Sequence, residues 1–302
     1  MSPALVNAIA SIIMSLFTLL GSVVGFIESR PEPVVVQQGF EEKAEDNLRI
    51  MSFNIRCLNV GTDSWQDRID IVSQTILDSE ADSIGVQEAT PEWMETLNTT
   101  VAEKYAHVGV GRDDGDNEGE YSAIFYLKDK YEVIDSGTFW LSETPEKPSK
   151  GWDAACNRIC TWAHLRNKET GEEYVHMNSH FDHLGVNARK NSVPRIIERA
   201  KAFGDIPVVF TADMNVKEGS ENYIQFTESD YFYDTKYLAP DTMDYCTYHD
   251  TKPQRHEDDV IDYVMVNSSF EAVSYKVVTE GVDGRFVSDH YPVYSDIKFI
   301  KD

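Results

Sequence analysis

The sequence predicts an α/β protein. Short apolar runs recur that end in a carboxylate, a carboxamide or an imidazole, as in Pro207-Val208-Val209-Phe210-Thr211-Ala212-Asp213-Met214-Asn215. Between several of them lie segments with apolar residues three and four apart, the period of a helix with one buried face. The chain has 302 residues, with 15 Tyr and 14 Phe. That is enough for one sizeable α/β domain or two small ones, and it is not the make-up of a disordered acidic chain.

The first strand is expected at 48–56, with Asn54 near its end. Residues 65–77 have helical spacing through Trp65, Ile69, Val72 and Ile76, and Asp63 or Ser64 can cap them. Ser83-Ile84-Gly85-Val86-Gln87-Glu88 is a short strand ending in Glu88. Pro91 suits the first turn of the next helix, with Trp93, Met94 and Leu97 on its apolar side. A strand follows at 105–110, then a polar loop at 111–120. That loop is acidic but lacks EF-hand ligand spacing, so it reads as solvated surface, with Arg112 kept as a phosphate clamp. Residues 121–127 and 131–140 are expected to pair as a hairpin around Lys128-Asp129-Lys130.

Residues 145–157 form a long loop carrying Trp152, Asp153 and Asn157, of the kind that shapes substrate access. Strands at 158–165 and 173–179 lead into Ser179-His180-Phe181-Asp182-His183. Two His in four residues invite a zinc reading, but no further soft ligand accompanies them. Residues 186–203 are helical, with Pro194 expected to break or bend the helix. A helix at 218–226 and strands near 260–266 and 270–278 complete the pattern, and Ser288-Asp289-His290-Tyr291-Pro292-Val293 enters the last strand.

Net charge is −25. Non-specific nucleic-acid binding is driven by Lys and Arg neutralising phosphates. The acidity and the lack of a broad basic surface therefore argue against that kind of grip. A nuclease whose metal supplies local positive charge stays open. Residues 3–27 hold no charged side chain. A bilayer crossing needs about 20 apolar residues, and a signal-peptide core usually has about 7–15. Residues 1–30 are thus expected to form a hydrophobic helix serving as a transmembrane anchor or signal segment. The protein would then be membrane-anchored, in the secretory pathway or extracellular. Only Glu28 and Arg30 flank the stretch, so its orientation is not readable. Residues 31–47, with Pro31, Pro33 and a run of Glu, Lys and Asp, read as a linker. Residues 48–302 read as the domain, expected to be a monomer. Cys57, Cys156, Cys160 and Cys246 allow two disulfides if the domain is exported, or buried free thiols if not.

Asn54, Glu88, His180, Asp213, Asn215, Asp262, Asp289 and His290 all lie at strand ends or entries. Oxygen ligands of this kind suit Mg²⁺ or Mn²⁺ and not zinc. A hard cation, imidazoles and paired carboxylates are the parts of phosphate-ester hydrolysis.

The motifs FNIR (53–56), QE (87–88), SHFDH (179–183), ADMN (212–215), IDYVMV (261–266) and SDHYPV (288–293) stand in one order along the chain. In that order the sequence resembles the endonuclease/exonuclease/phosphatase superfamily over roughly residues 48–300. The resemblance implies a four-layer α/β sandwich, two mostly antiparallel sheets flanked by helices. It implies Mg²⁺, with Mn²⁺ as an alternative, held by Asn54 and Glu88 and supported by Asp289. Asp213 would orient or deprotonate the attacking water, and Asn215 would hold the scissile phosphate. Asp262 would fix His290, and His180 would contact the phosphate from the other side. Arg112 and Asn157 are the substrate-binding candidates. Apurinic endonucleases carry an Asp two residues after the first-strand Asn, where this chain has Arg56, which tells against a repair nuclease. The expected activity is phosphodiesterase or phosphatase. The alternatives are a nuclease, such as a 3′-5′ RNA exonuclease of deadenylase type, and a non-catalytic binding scaffold.

Overall fold

The computed structural model describes residues 39–57, 64–251 and 259–301. The hydrophobic helix and the anchor or signal role expected of residues 1–30 lie outside them. No described helix is long and apolar enough to cross a membrane. In chain order the elements are β1 (Leu48–Asn54), α1 (Trp65–Ser79), β2 (Ser83–Ala89), α2 (Pro91–Thr100), β3 (Tyr105–Val108), β4 (Tyr121–Leu127), β5 (Tyr131–Trp140), β6 (Ile159–Asn167), β7 (Glu173–His180), α3 (Val186–Lys201), β8 (Val208–Asp213) and α4 (Glu221–Thr227). They continue with β9 (Tyr233–Asp234), α5 (Thr235–Leu238), β10 (Asp241–Thr242), β11 (Asp262–Val266), β12 (Phe270–Val277) and β13 (Val293–Phe299).

The strands form two sheets, ordered β10-β12-β13-β1-β2-β4-β3 and β5-β6-β7-β8-β11-β9. Both are mixed and mostly antiparallel. Parallel pairing is confined to β1 with β2, β7 with β8 and β10 with β12. Side chains alternate faces along a strand, and this sorts the apolar residues into layers. Leu48 and Ile50 of β1, Val209 of β8 and Val264 of β11 fill the space between the sheets. Met51 and Phe53 turn outward instead, to Ile76 of α1 and Trp93 of α2. Val208 and Phe210 turn outward on the other side, to Val193 and Ile196 of α3 and Phe226 of α4. The result is the four-layer α/β sandwich that the sequence implied.

Three expectations are corrected. β4 and β5 do not form a hairpin, because β4 pairs with β2 and β3 while β5 pairs with β6 in the other sheet. Alternation identifies a strand without identifying its partner. Here buried Asp82, just before β2, accepts from Lys130 Nζ at 2.6 Å and Tyr131 Oη at 3.0 Å, and so draws the connection across. Pro194 does not end α3, which runs unbroken through it. Burial of Val193, Ile196 and Ala200 against the sheet offsets the lost hydrogen bond. The end of the expected linker is docked: Phe40 packs on Tyr294, and Lys43 Nζ reaches Asp82 at 2.8 Å.

Candidate active site

The alternation that buries Ile50 and Val209 between the sheets also places Ser52, Asn54, Thr211 and Asp213 there, further along the same strands. The inner faces therefore turn polar toward one end of the sandwich. Buried polar groups need partners, and these supply one another. Asn178 Nδ2 donates to the carbonyls of Val86 and Ala123, both at 2.9 Å, and its Oδ1 accepts from Gln87 Nε2 at 2.7 Å. The sheets come so close that a Cβ on Gly85 would lie 2.0 Å from Thr211 Oγ1 and 2.4 Å from Asn178 Oδ1. This seam was not read from the sequence.

At its open end Asn54 Nδ2 bridges two carboxylates, 3.1 Å from Glu88 Oε1 and 2.9 Å from Asp213 Oδ2, while its Oδ1 accepts from Arg56 N at 2.9 Å. Asn54 thus organises the acids with its amide nitrogen, while its oxygen accepts one hydrogen bond and keeps a second lone pair. Glu88 Oε2 also accepts from Cys57 N at 2.8 Å. Burial works to raise the Glu88 pKa, but these donors outweigh it and hold it lowered. Arg56, Glu88 and Asn215 all have positive φ, at 59°, 62° and 49°. Non-glycine residues in that region carry strain and gather at functional sites.

Asp213 Oδ1 accepts from Asn215 N at 2.9 Å. Burial, and then repulsion from Asp262 directly across the β8–β11 pair, raise its pKa. His290 Nδ1 lies 2.9 Å from Asp262 Oδ2, and its Nε2 lies 3.8 Å from Asp213 Oδ2. Burial alone would lower the His290 pKa, but Asp262 more than offsets it and the value is raised. On the other side, His180 Nε2 lies 2.9 Å from Asn215 Nδ2 and 3.4 Å from Asp213 Oδ2. Burial, with help from nearby Arg158, holds His180 well below its ordinary pKa, as the neutral ring.

These groups open on a cleft of about 440 Å³. Glu88, Arg112, His180, Asp213, Asn215, Asp289 and His290 line it, and Asn54 and Asp262 stand behind them. Asn157 does not line the cleft; its amide donates to the Arg112 carbonyl at 3.3 Å and so supports the loop. Arg112 is closed on Glu120 in a bidentate pair at 2.7 and 3.0 Å. The sequence reading missed Cys57, Glu120, Cys156, Arg158 and Tyr248 as lining residues. Most of them precede or follow strands without an apolar run pointing at them. None of the four cysteines is in a disulfide.

The long loop before β6 is pinned by two carboxylates. Asp153 caps α3, accepting from Asn187 N at 3.1 Å and Ala188 N at 2.7 Å. Asp182 accepts from Leu184 N at 3.0 Å, Gly185 N at 2.6 Å and Ala155 N at 3.0 Å, with Arg158 Nε at 3.4 Å. Cys156, Asp182 and His183 have ligand atoms within 4.8 Å of one another, a soft donor the sequence did not reveal. The Arg158 guanidinium beside them and the donors already on Asp182 make this a poor cation site.

Burial works to raise the Asp182 pKa, but the amides of Gly185, Ala155 and Leu184 outweigh it and hold it well below the carboxylate range. A depressed carboxylate contributes stability above its unfolded pKa of about 4, lost as pH falls through the folded value. Asp182→Asn is therefore expected to cost about 2–3 kcal/mol at pH 7. In urea titrations the gap from wild type should hold down to about pH 5 and shrink below about pH 4. A gap that stays constant in acid would refute the charged role.

The donor set fits a hard divalent cation. Glu88 is held ionised, whereas burial and then repulsion from Glu88, against a lowering pull from His290, leave Asp289 with a raised pKa. Two carboxylates in one cleft are what a cation relieves, although Arg56 Nε already lies 3.3 Å from Asp289 Oδ2. Glu88, His180 and Asp213 also have ligand atoms within 4.8 Å of one another.

The Endonuclease/Exonuclease/phosphatase family model matches residues 51–290. A solved family protein from Bacteroides thetaiotaomicron is similar at 33% identity and a TM-score of 0.81, over 86% of this chain and 100% of that one. A mannosyl-6-phosphatase from Bacteroides thetaiotaomicron VPI-5482 is similar at 34% identity and a TM-score of 0.79, over 83% of this chain and 100% of that one. The human nocturnin catalytic domain shares the fold at 17% identity and a TM-score of 0.69, over 90% of this chain and 100% of that one. No curated protein matches the chain.

Proposed function

Because the chain belongs to the endonuclease/exonuclease/phosphatase family, we propose that it is a Mg²⁺-dependent hydrolase that cuts the phosphoric ester bond of a small substrate, sugar phosphates first among them. The observation that carries this reading is the meeting of Glu88, Asp213 and the Asp262–His290 pair in one cleft of about 440 Å³. The size of the cleft and the net charge of −25 favour a small anion over a polynucleotide. The similarity to a mannosyl-6-phosphatase supports the sugar-phosphate class.

Glu88 and Asp289 would hold the cation, which supplies positive charge to a phosphoryl oxygen when bound. Asp213 orients water and accepts its proton. Its raised pKa suits a base working near neutral pH. His290 stays protonated beside Asp262 and donates from Nε2 to the oxygen on which charge develops. Asn215 lines the cleft with its backbone N–H on Asp213 and its Nδ2 donating to His180 Nε2 and to the Phe181 carbonyl, and so positions His180. Residues 1–30 would hold the domain at a membrane or route it for secretion.

The test is a panel of mannose 6-phosphate, other sugar phosphates, nucleotides, RNA and DNA, each with Mg²⁺ and with EDTA. Phosphate release from sugar phosphates, abolished by EDTA and restored by Mg²⁺, is expected. Cleavage of RNA alone would overturn the small-substrate reading, and activity indifferent to EDTA would overturn the metal.

A further inference from the structure

Arg158 immediately precedes β6, lines the cleft and is 5% exposed. Two of its three nitrogens are engaged: Nε lies 3.4 Å from Asp182 Oδ2 and Nη2 lies 3.1 Å from His183 Nδ1. Its Nη1 is buried and has no partner. His180 lines the same cleft, is 6% exposed, and has Nδ1 buried without a partner. Since His180 Nε2 accepts from Asn215, Nδ1 of the neutral ring carries the hydrogen. Arg112 also has a buried Nε without a partner, but Glu120 closes both of its terminal nitrogens and neutralises its charge.

Buried N–H groups without acceptors are rare and costly. Arg158 Nη1 and His180 Nδ1, on residues that line one cleft, one cationic and neither able to accept, ask for an anion. Asp182 and His183 fix the guanidinium and leave Nη1 as the donor that remains. Building on the phosphoester-hydrolase reading above, we propose that Arg158 binds a terminal oxygen of the substrate phosphate and makes the site selective for monoesters over diesters. A phosphomonoester presents three non-bridging oxygens and up to two negative charges, whereas a diester presents two oxygens and one charge. The Glu88–Asp289 side of the cleft and His290 Nε2 serve two oxygens, and Arg158 gives the third a partner. In a diester that third oxygen is alkylated, so the guanidinium loses its acceptor and meets an organic substituent.

The experiment uses the full chain with Mg²⁺ and compares kcat/KM for p-nitrophenyl phosphate and bis(p-nitrophenyl) phosphate. It does so in wild type, Arg158→Gln and Arg158→Lys. Calorimetric titration with inorganic phosphate and with dimethyl phosphate gives a readout independent of turnover. Wild type is expected to favour the monoester, and Arg158→Gln to lower the monoester-to-diester ratio by about 10–100-fold, the size of one charge-assisted hydrogen bond. Arg158→Lys keeps charge without the planar fork and should fall between. Inorganic phosphate should weaken by a similar factor in Arg158→Gln, and dimethyl phosphate should not. Since Arg158 also pairs with Asp182, melting curves accompany each variant; if Arg158→Gln does not fold, the wild-type ratio and Arg158→Lys decide. A wild type that prefers the diester, or a variant ratio equal to that of wild type, overturns the proposal while leaving phosphoester hydrolysis intact. Absence of all hydrolysis, with phosphate still bound through Arg158, sinks the hydrolase reading instead.

Discussion

Asp213→Asn is expected to lower kcat by about 10²–10⁴-fold, the range for loss of a general base, while the protein stays folded. Two forces act on the fold in this variant, and they oppose. Burial and Asp262 make the charge on Asp213 unfavourable, so an amide relieves repulsion. Both carboxylate oxygens, however, accept hydrogen bonds, from Asn54 Nδ2 and Asn215 N. An amide places a donor against one of those donors. The net change is expected near 1 kcal/mol, a shift in melting temperature of about 2–4 °C for a domain of this size. Calorimetry and steady-state kinetics on one preparation separate the two effects. A variant within tenfold of wild type would remove Asp213 from proton transfer.

Asp213 was readable because its strand is so apolar: Val208, Val209 and Phe210 leave no solvated face, so the polar residues that follow stand out. Glu88 closes a similar short run, Asp262 opens one, His180 stood out in the Ser179–His183 cluster, and the order of the motifs carried the fold. What the sequence could not convey was pairing across space. β4 and β5 alternate alike yet go to different sheets, with Asp82 accepting from Lys130 and Tyr131 at the crossing. Asn54 is expected as an oxygen ligand, and what the sequence did not show is that its nitrogen bridges two acids while its oxygen accepts from Arg56 N. Arg158 read as the polar start of a strand. Its meaning comes from Asp182 and His183, far along the chain, which leave one N–H without a partner. Arg112, conspicuous in a polar loop, is neutralised by Glu120 eight residues on.

Asp262→Asn is expected to lower kcat by about 10³–10⁴-fold, comparable to the loss when the carboxylate behind a catalytic imidazole becomes an amide. Asp262 does two things at once. It holds His290 Nδ1 at 2.9 Å and keeps the ring protonated, and it faces Asp213 across the strand pair and raises that carboxyl. Removing its charge lowers both pKa values. The base, Asp213, then ionises at lower pH, so the acid limb of the rate profile moves toward acid. The acid, His290, loses its proton at lower pH, so the alkaline limb moves the same way. The whole bell is expected to shift acidward as it falls, its limbs reporting the coupled set and not single residues. A purely structural role would lower the maximum and leave both limbs in place. The profile therefore separates a carboxylate that tunes two partners from one that only fills space beside Thr247, whose hydroxyl accepts from the Asp262 amide at 3.1 Å.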